Sequence, residues 1–243
     1  MAGAIAASLG LAALSTFLLE RPLRRGLGHP KGVARGPKTT LFLTPGGCPP
    51  IPGLIDDKFP QHKDCPGLTN AARSLLVKMP QIDTVVIAAQ WWAYFKYSYY
   101  RTTDGIPITQ PPGMQRAFEN LDGFLRELRS AKLRVFLVLN IPSAPQLDPA
   151  RNYSHDLFAP MSGGLSRASL DERDHDVMAP LRQLGEKNGT RIIDPVDSLC
   201  SNGVCPARDA TTGQWLYKDG WHLRASTARN RAGFIDQTVT PLP

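Results

Sequence analysis

The residues best suited to acid–base chemistry lie near the C-terminus, in the run Tyr217-Lys218-Asp219-Gly220-Trp221-His222-Leu223. Asp219 precedes His222 by three residues, so its carboxylate can accept a hydrogen bond from one ring nitrogen and fix the tautomer. The other ring nitrogen can then take a proton from a hydroxyl nucleophile. The pattern predicts a general base with its orienting carboxylate. The alternative is a surface Asp and a His that caps the last helix, because Asp-x-x-His alone is a short pattern.

A hydroxyl nucleophile is harder to identify. Ser143 follows an apolar run, where site residues occur, but it lies between two prolines in Pro142-Ser143-Ala144-Pro145, a context typical of plain loop. Ser98 lies in an aromatic stretch without a neighbouring glycine. The sequence therefore predicts a base without an evident nucleophile.

Seven aromatic residues fall between Trp91 and Tyr100. Aromatic rings beside a polar site offer an apolar face with a polar handle, which suits stacking on sugars. Trp91 and Trp92, together with Asn140 after a later apolar run, are therefore predicted to bind substrate. The alternative of equal weight is a core segment that covers one end of a sheet.

The elements that would position these residues alternate between strands and helices. Apolar or β-branched runs predict strands at 41–43, 84–89, 134–140 and 191–194, and helical spacing predicts helices at 70–78, 113–132, 170–187 and 225–239. Such alternation predicts an α/β fold with a parallel sheet covered on both faces. Ligands bind beyond the carboxyl ends of such strands, where Asn140 and the segment after residue 90 would lie.

The first 19 residues contain no charged side chain and are rich in Ala and Leu. About 20 helical residues cross a bilayer core of roughly 30 Å, so the favoured prediction is a transmembrane helix, with its basic flank, over residues 1–25. A cleaved signal peptide fits less well because the positive charge follows the apolar run. A buried helix of a soluble protein is the third interpretation.

The net charge of +7 raises nucleic acid as a partner, but its distribution argues against one. Five of those net charges fall in the first 38 residues, where Glu20 stands against six basic residues: Arg21, Arg24, Arg25, Lys31, Arg35 and Lys38. A nucleic-acid binder carries its basic excess on the folded body, and this body is nearly neutral. The predicted partner of the N-terminal part is a membrane, through residues 1–19.

Taken in order, several segments resemble the extracytoplasmic SGNH domain fused to membrane acyltransferases of family 3, which O-acylate bacterial surface polysaccharides. Asp219-x-x-His222-Leu223 before the last helix is similar to the C-terminal catalytic motif of SGNH hydrolases and esterases. The resemblance covers most of residues 1–24 and 41–239, and its other segments are Glu20–Arg24, Gly47–Pro50, Cys65, Asp83–Trp91, Ile193–Pro195, Leu199–Cys200 and Cys205.

The resemblance implies a three-layer α/β/α SGNH-like sandwich with a short parallel sheet over residues 41–243, joined through a linker at 26–40 to the transmembrane helix. It implies O-acyltransfer or ester hydrolysis on hydroxyls of a cell-surface glycan, with His222 as base and Asp219 as its orienter. No cofactor or metal is expected on this chain, since an acyl donor such as acetyl-CoA would be handled by a membrane domain.

The sequence departs from the family at the nucleophile. The family carries a Ser in a Gly-Asp-Ser turn after the first strand of the domain, and no Gly-Asp-Ser occurs here. Residues 26–40, where that turn would fall, are a linker rich in Gly, Pro and Lys. We therefore expect a sheet without its first strand and an impaired enzyme. The alternative is a non-catalytic glycan-binding module or a remnant of a membrane acyltransferase.

The four cysteines form two local groups, Cys48 with Cys65 and Cys200 with Cys205. Their spacing lacks the paired Cys-x-x-Cys typical of structural zinc, and free thiols or two disulfides are the other interpretations. The resemblance implies the two disulfides and an inner-membrane protein with a periplasmic domain. Disulfides require an oxidising compartment, and the periplasm is one. The basic residues after the first helix instead predict a cytoplasmic location for the following chain, so the topology stays open.

Overall fold

The computed structural model describes residues 40–43, 47–59, 64–97, 99–151 and 164–239. The predicted transmembrane helix, its basic flank and almost all of the predicted linker lie outside these residues. No helix in the described ranges has the length and apolar character needed to span a bilayer.

Strands and helices alternate along the described chain. In order they are β1 (Leu54–Asp56), α1 (Cys65–Lys78), β2 (Thr84–Ala88), α2 (Trp91–Lys96), β3 (Tyr100–Thr102), α3 (Pro111–Ser130), β4 (Arg134–Val138), β5 (Leu165–Ser166), α4 (Arg167–Lys187), β6 (Arg191–Ile193), α5 (Pro195–Leu199), β7 (Val204–Cys205) and α6 (Ala225–Arg231). Short 3₁₀ helices follow β4 and α6, the last over Gly233–Thr238.

The central sheet is parallel, in the order β2-β4-β6, which confirms the predicted α/β class. Val85 lies opposite Val135 and Val138 opposite Ile193, so the carboxyl ends of the three strands meet at one edge. Two small antiparallel pairs, β1 with β3 and β5 with β7, were not predicted. Each has only two or three residues per strand, too few for a periodic signal in loops rich in Gly and Pro.

The two faces of the sheet are covered unequally. On one face, alternate residues of β2 and β4 pack against the apolar stripes of α3 and α4 in one core cluster: Val85, Ile87, Val135, Leu137, Leu121, Leu125, Leu128, Val177 and Leu181. On the other face, Phe136, Val138 and Ile193 pack against Phe234 of the last 3₁₀ helix. Val86 of β2 points to this second face and is 44% exposed. The second layer is therefore thin over β2.

Some predicted elements differ in the structure. Leu41, Phe42 and Leu43 form no strand and are exposed, because a strand requires a neighbour and none pairs with them among the described residues. The terminal helix ends at Arg231 instead of continuing to 239, and Gly233 begins a separate 3₁₀ helix. Helix α1 starts at Cys65, five residues before the prediction, with Pro66 in its first turn, where a missing N–H costs nothing.

Both implied disulfides are confirmed. The Cα atoms of Cys48 and Cys65 are 5.3 Å apart, and those of Cys200 and Cys205 are 4.0 Å apart. No cysteine is left free, so none is available as a zinc ligand. The first bridge ties the N-terminal loop to α1, and the second closes the turn between α5 and β7.

Candidate active site

Asp219 organises the loop that carries His222. Its Oδ1 accepts hydrogen bonds from the backbone N–H groups of Trp221 at 2.8 Å and His222 at 3.0 Å, a local turn of the kind Asp side chains stabilise. The loop is closed by the backbone N–H of Lys218, which donates to the carbonyl of His222 at 2.8 Å. The same carboxylate therefore shapes the turn and faces the imidazole.

The ring of His222 lies against that carboxylate. Nδ1 is 2.9 Å from Oδ1 and 3.0 Å from Oδ2 of Asp219, and the histidine side chain is 70% exposed. Burial opposes ionisation of Asp219, but the N–H of Trp221 and the ring of His222 outweigh it and hold the pKa of the carboxyl below its usual value. An ionised Asp219 favours the tautomer with a proton on Nδ1, which leaves Nε2 as an acceptor.

The loop is anchored to the carboxyl edge of the sheet. Ala144, in the segment after β4, donates its backbone N–H to the carbonyl of Gly220 at 2.8 Å. A Cβ built on Gly220 would lie 2.7 Å from the carbonyl oxygen of Ala144, so glycine permits this close approach. The pair Asp219–His222 thus lies at the edge where ligands bind in parallel sheets.

The two tryptophans predicted to bind substrate have different positions. Trp92 is half-buried and stacks on Trp221, with ring centroids 6.0 Å apart and planes 17° apart. Trp91 is fully buried, and its indole Nε1 donates to the carbonyl of Val138 at 2.7 Å. A ring sealed in the core offers no face to a sugar. Trp91 therefore fits the alternative interpretation, a core residue that covers the end of the sheet.

Asn140 is a buried polar residue beside this edge. It is 5% exposed, and its Oδ1 accepts from the backbone N–H of Trp91 at 2.8 Å, which fixes the start of α2. Its Nδ2 and the indole Nε1 of Trp92 are buried donors without an acceptor among the described residues. Unsatisfied buried donors cost about 1–3 kcal/mol each, so two of them near one site are unusual in a finished core.

The candidate Ser143 makes no hydrogen bond to His222. Ser143 is fully buried, and its Oγ accepts from Nε2 of Gln90 at 3.3 Å. Ser98 lies outside the described residues. Among the residues that the structure describes, no serine hydroxyl is hydrogen-bonded to the imidazole of His222.

A cavity of about 350 Å³ opens next to Asn140, between α4 and the carboxyl ends of β4 and β6. Leu170 and Met178 form an apolar part of its wall. Its polar groups include those of Asp174, His175 and Asp194. No cluster of three or more His, Cys, Asp or Glu side chains that could hold a metal ion occurs in the part of the chain that the structure describes.

Sequence reasoning did not assign Trp221 and Arg173. Trp221 lies between Asp219 and His222 in the motif itself, and that position could have marked it as a site residue. Arg173 lies on a helix of ordinary charged composition, and its guanidinium is 5.0 Å from the ring centroid of Trp92. No local pattern pointed to that contact.

A parallel α/β sheet with an Asp-x-x-His pair at its carboxyl edge, directly before the last helix, defines a domain of the SGNH type. The profile of the family described as the SGNH domain fused to AT3 domains matches residues 33–237, most of the chain, and the chain belongs to that family. The resemblance found in the sequence is thereby confirmed.

Comparison with curated proteins finds no match. Among solved structures, the chain is similar to one described as the periplasmic domain of a lipopolysaccharide acetyltransferase from Salmonella ser. Paratyphi A. The two are 14% identical with a TM-score of 0.48, and the alignment covers 80% of this chain and 68% of the other.

Proposed function

We propose that this chain is an acyl-transfer or esterase domain of the SGNH type that acts on hydroxyls of a cell-surface polysaccharide. His222 is the general base and Asp219 its orienter. The observation that carries the proposal is the pairing of Nδ1 with both oxygens of Asp219, at 2.9 and 3.0 Å, on an exposed ring at the carboxyl edge of the sheet. Family membership supports the same chemistry.

The mechanism follows from the pair. A hydroxyl that approaches Nε2 loses its proton to the imidazole as its oxygen attacks an acyl carbonyl. The resulting imidazolium is stabilised by the carboxylate of Asp219, which stays ionised because its pKa is lowered. The imidazolium then returns the proton to the leaving group.

The attacking serine is the missing part of this scheme. No Gly-Asp-Ser occurs in the sequence, and Ser143 is sealed in the core. We propose that the nucleophile belongs to a strand-and-turn segment that this sequence lacks and that would lie next to β2. The exposure of Val86 on the second face of β2, and the donors of Asn140 and Trp92 that have no acceptor among the described residues, support a segment missing beside β2. The chain alone is therefore impaired as an enzyme.

A second function, glycan binding without chemistry, is favoured by one observation. Trp92 and Trp221 form a half-buried stacked pair beside His222, an arrangement that offers an aromatic surface to a sugar ring. Such a module would keep the fold and the acceptor surface and perform no proton transfer.

The proposed setting is a periplasmic domain attached to the inner membrane. Two disulfides and no free cysteine indicate an oxidising compartment. The proposed partners are a glycan acceptor and, through residues 1–19, the membrane. An acyl donor such as acetyl-CoA would be handled by a membrane domain. The nearly neutral body lacks the basic excess of a nucleic-acid binder, so nucleic acid is not a proposed partner.

The proposed esterase activity is tested by measuring hydrolysis of p-nitrophenyl acetate. We expect no turnover by the purified chain above that of His222→Ala, since losing a triad nucleophile costs on the order of a million-fold in rate. His175→Ala, which removes an exposed imidazole on α4, controls for non-specific reaction of histidine with the ester. Turnover lost only in His222→Ala would contradict the impaired reading and direct attention to Ser143.

Restoring the nucleophile tests the acyl-transfer proposal directly. A family strand, Gly-Asp-Ser turn and helix inserted between residues 38 and 41 should produce ester turnover that disappears on His222→Ala. A folded insertion variant without such turnover would contradict the proposal. If it instead binds polysaccharide in titration calorimetry, with affinity lost in Trp221→Ala and kept in His222→Ala, the glycan-binding module is the function.

A further inference from the structure

One arginine outside the motif links three elements at the edge of the sheet. The Nη1 of Arg173, on α4, donates to the carbonyl of Ser143 at 2.7 Å. Its Nε and Nη2 donate to the two carboxylate oxygens of Asp174 at 2.5 and 2.8 Å. Its guanidinium also faces the ring of Trp92 at 5.0 Å. The side chain therefore joins α4 to α2 and to the segment after β4.

The loop of the base is contacted by Trp92, which faces this arginine, and by Ala144, the residue next to its hydrogen-bond partner Ser143. Ala144, next to Ser143, donates to the carbonyl of Gly220 at 2.8 Å, and Trp92 stacks on Trp221 at 6.0 Å. Gly220 and Trp221 are the two residues between Asp219 and His222. The loop is thus held through the backbone of Gly220 and through the ring of Trp221. Arg173 contacts Trp92 directly and reaches Ala144 through the adjacent Ser143.

Asp174 explains why the arginine keeps one orientation. The aspartate is 3% exposed, and a buried carboxylate requires a charge partner and hydrogen bonds. The two parallel hydrogen bonds to Asp174 fix the plane of the guanidinium. That plane directs the remaining Nη1 to Ser143 and presents a face to Trp92. A lysine would supply the charge without this geometry.

We infer that Arg173 is a positioning residue for the general base: it holds the loop of Asp219 and His222 in register with the edge of the sheet, so that the carboxylate stays opposite Nδ1. The inference rests on the proposed function of His222 as base. It concerns the geometry of the pair and not the reaction, so it can be tested whether or not the chain turns over an ester.

The readout is the tautomer ratio of His222, measured from the ¹⁵N shifts of its imidazole. Pairing with Asp219 favours the proton on Nδ1. Arg173→Ala combined with Asp174→Asn, which avoids an uncompensated buried carboxylate, should raise the Nε2–H share of His222 roughly two- to tenfold, as expected when one ordinary hydrogen bond is lost. Arg173→Lys should show a shift in the same direction, because the fork geometry is lost.

Arg182→Ala is the control, because it removes another arginine of α4 that is paired with an aspartate, Asp194, whose side chain is only 8% exposed. The tautomer ratio should stay unchanged in this variant. Equal shifts in both variants, or no shift in the Arg173 variants of a chain with an unchanged thermal midpoint, would overturn the inference. A shift restricted to the Arg173 variants, in a chain that shows no acyl transfer after insertion of the nucleophile segment, would uphold the positioning role and reject the proposed function.

Discussion

At the scale of single residues, the site depends on one carboxylate that performs two tasks. Asp219 accepts hydrogen bonds from the N–H groups of Trp221 and His222 and also from the imidazole, so the turn and the orientation of the ring are set together. This explains how an exposed side chain can be held in a defined rotamer. The neighbouring Gly220 matters equally, because it allows the loop to approach the segment after β4.

The close approach at Gly220 yields a stability prediction. Gly220→Ala places a Cβ at 2.7 Å from the carbonyl oxygen of Ala144, a distance that forces the two backbones apart. We expect a loss of about 1–3 kcal/mol in the free energy of unfolding, the usual cost of overpacking, measured by urea denaturation.

Gly123→Ala is the control for this substitution. The nearest atom to its Cβ is the end of Arg126 at 4.0 Å, and the residue lies inside α3, so alanine should be neutral or stabilising by up to about 1 kcal/mol. An equal loss of stability in both variants would mean that the contact with Ala144 is not the cause.

At the scale of elements, α3 and the end of α4 are joined by a buried carboxylate. Asp122 on α3 accepts from Nζ of Lys187 at 2.9 Å and from Nδ2 of Asn188 at 2.8 Å. The hydrogen bond from Asn188 and then that from Lys187 lower the pKa of Asp122, although burial opposes them. The two helices cover the same face of the sheet, so this link stabilises the layer above the core.

The sign of the pH dependence follows from the lowered pKa. The contribution of Asp122 is fully present above its unfolded pKa of about 3.9 and is lost as the pH falls through the lower folded value. Asp122→Asn should cost about 1–3 kcal/mol of unfolding free energy at pH 7 and less at pH 3, measured by urea denaturation at both values.

Glu119→Gln provides the comparison on the same helix. Its ion pair with Arg116 is exposed, with nitrogen and oxygen 3.7 Å apart, so the substitution should change stability by less than about 0.5 kcal/mol. A pH-independent loss in Asp122→Asn would indicate a packing effect instead of a charge effect.

At the scale of the whole molecule, two disulfides close loops of different length. Their sequence separations are 17 for Cys48–Cys65 and 5 for Cys200–Cys205. On the chain-entropy account, removal costs about 3 kcal/mol for the longer loop and about 2 kcal/mol for the shorter one. We expect the Cys48→Ala/Cys65→Ala variant to melt below the Cys200→Ala/Cys205→Ala variant, and both below the parent, by differential scanning calorimetry. The reverse order would mean that the turn between α5 and β7 contributes more than loop closure.

Much of this architecture follows from the sequence because its causes are local. The apolar runs around Val85 and Val135 are continuous and β-branched, and α3 repeats leucines at helical spacing, so the alternation of buried strands and helices could be predicted. Asp219 and His222 are three residues apart, and a single turn brings them together. The cysteine pairing came from the family resemblance, which depends on the order of short segments, and that resemblance supported the base already predicted from the Asp-x-x-His pattern.

The tertiary structure alone decided which side chains meet across elements. Trp91 and Trp92 are neighbours in sequence, yet one ring is sealed in the core and the other stacks on Trp221, because successive helical residues point in different directions. Arg173 is 30 residues from Ser143, and no periodic pattern specifies that the fork on Asp174 directs the guanidinium there. Leu41 to Leu43 have the composition of a strand but lack a neighbour among the described residues, and strand formation depends on that neighbour and not on the segment itself.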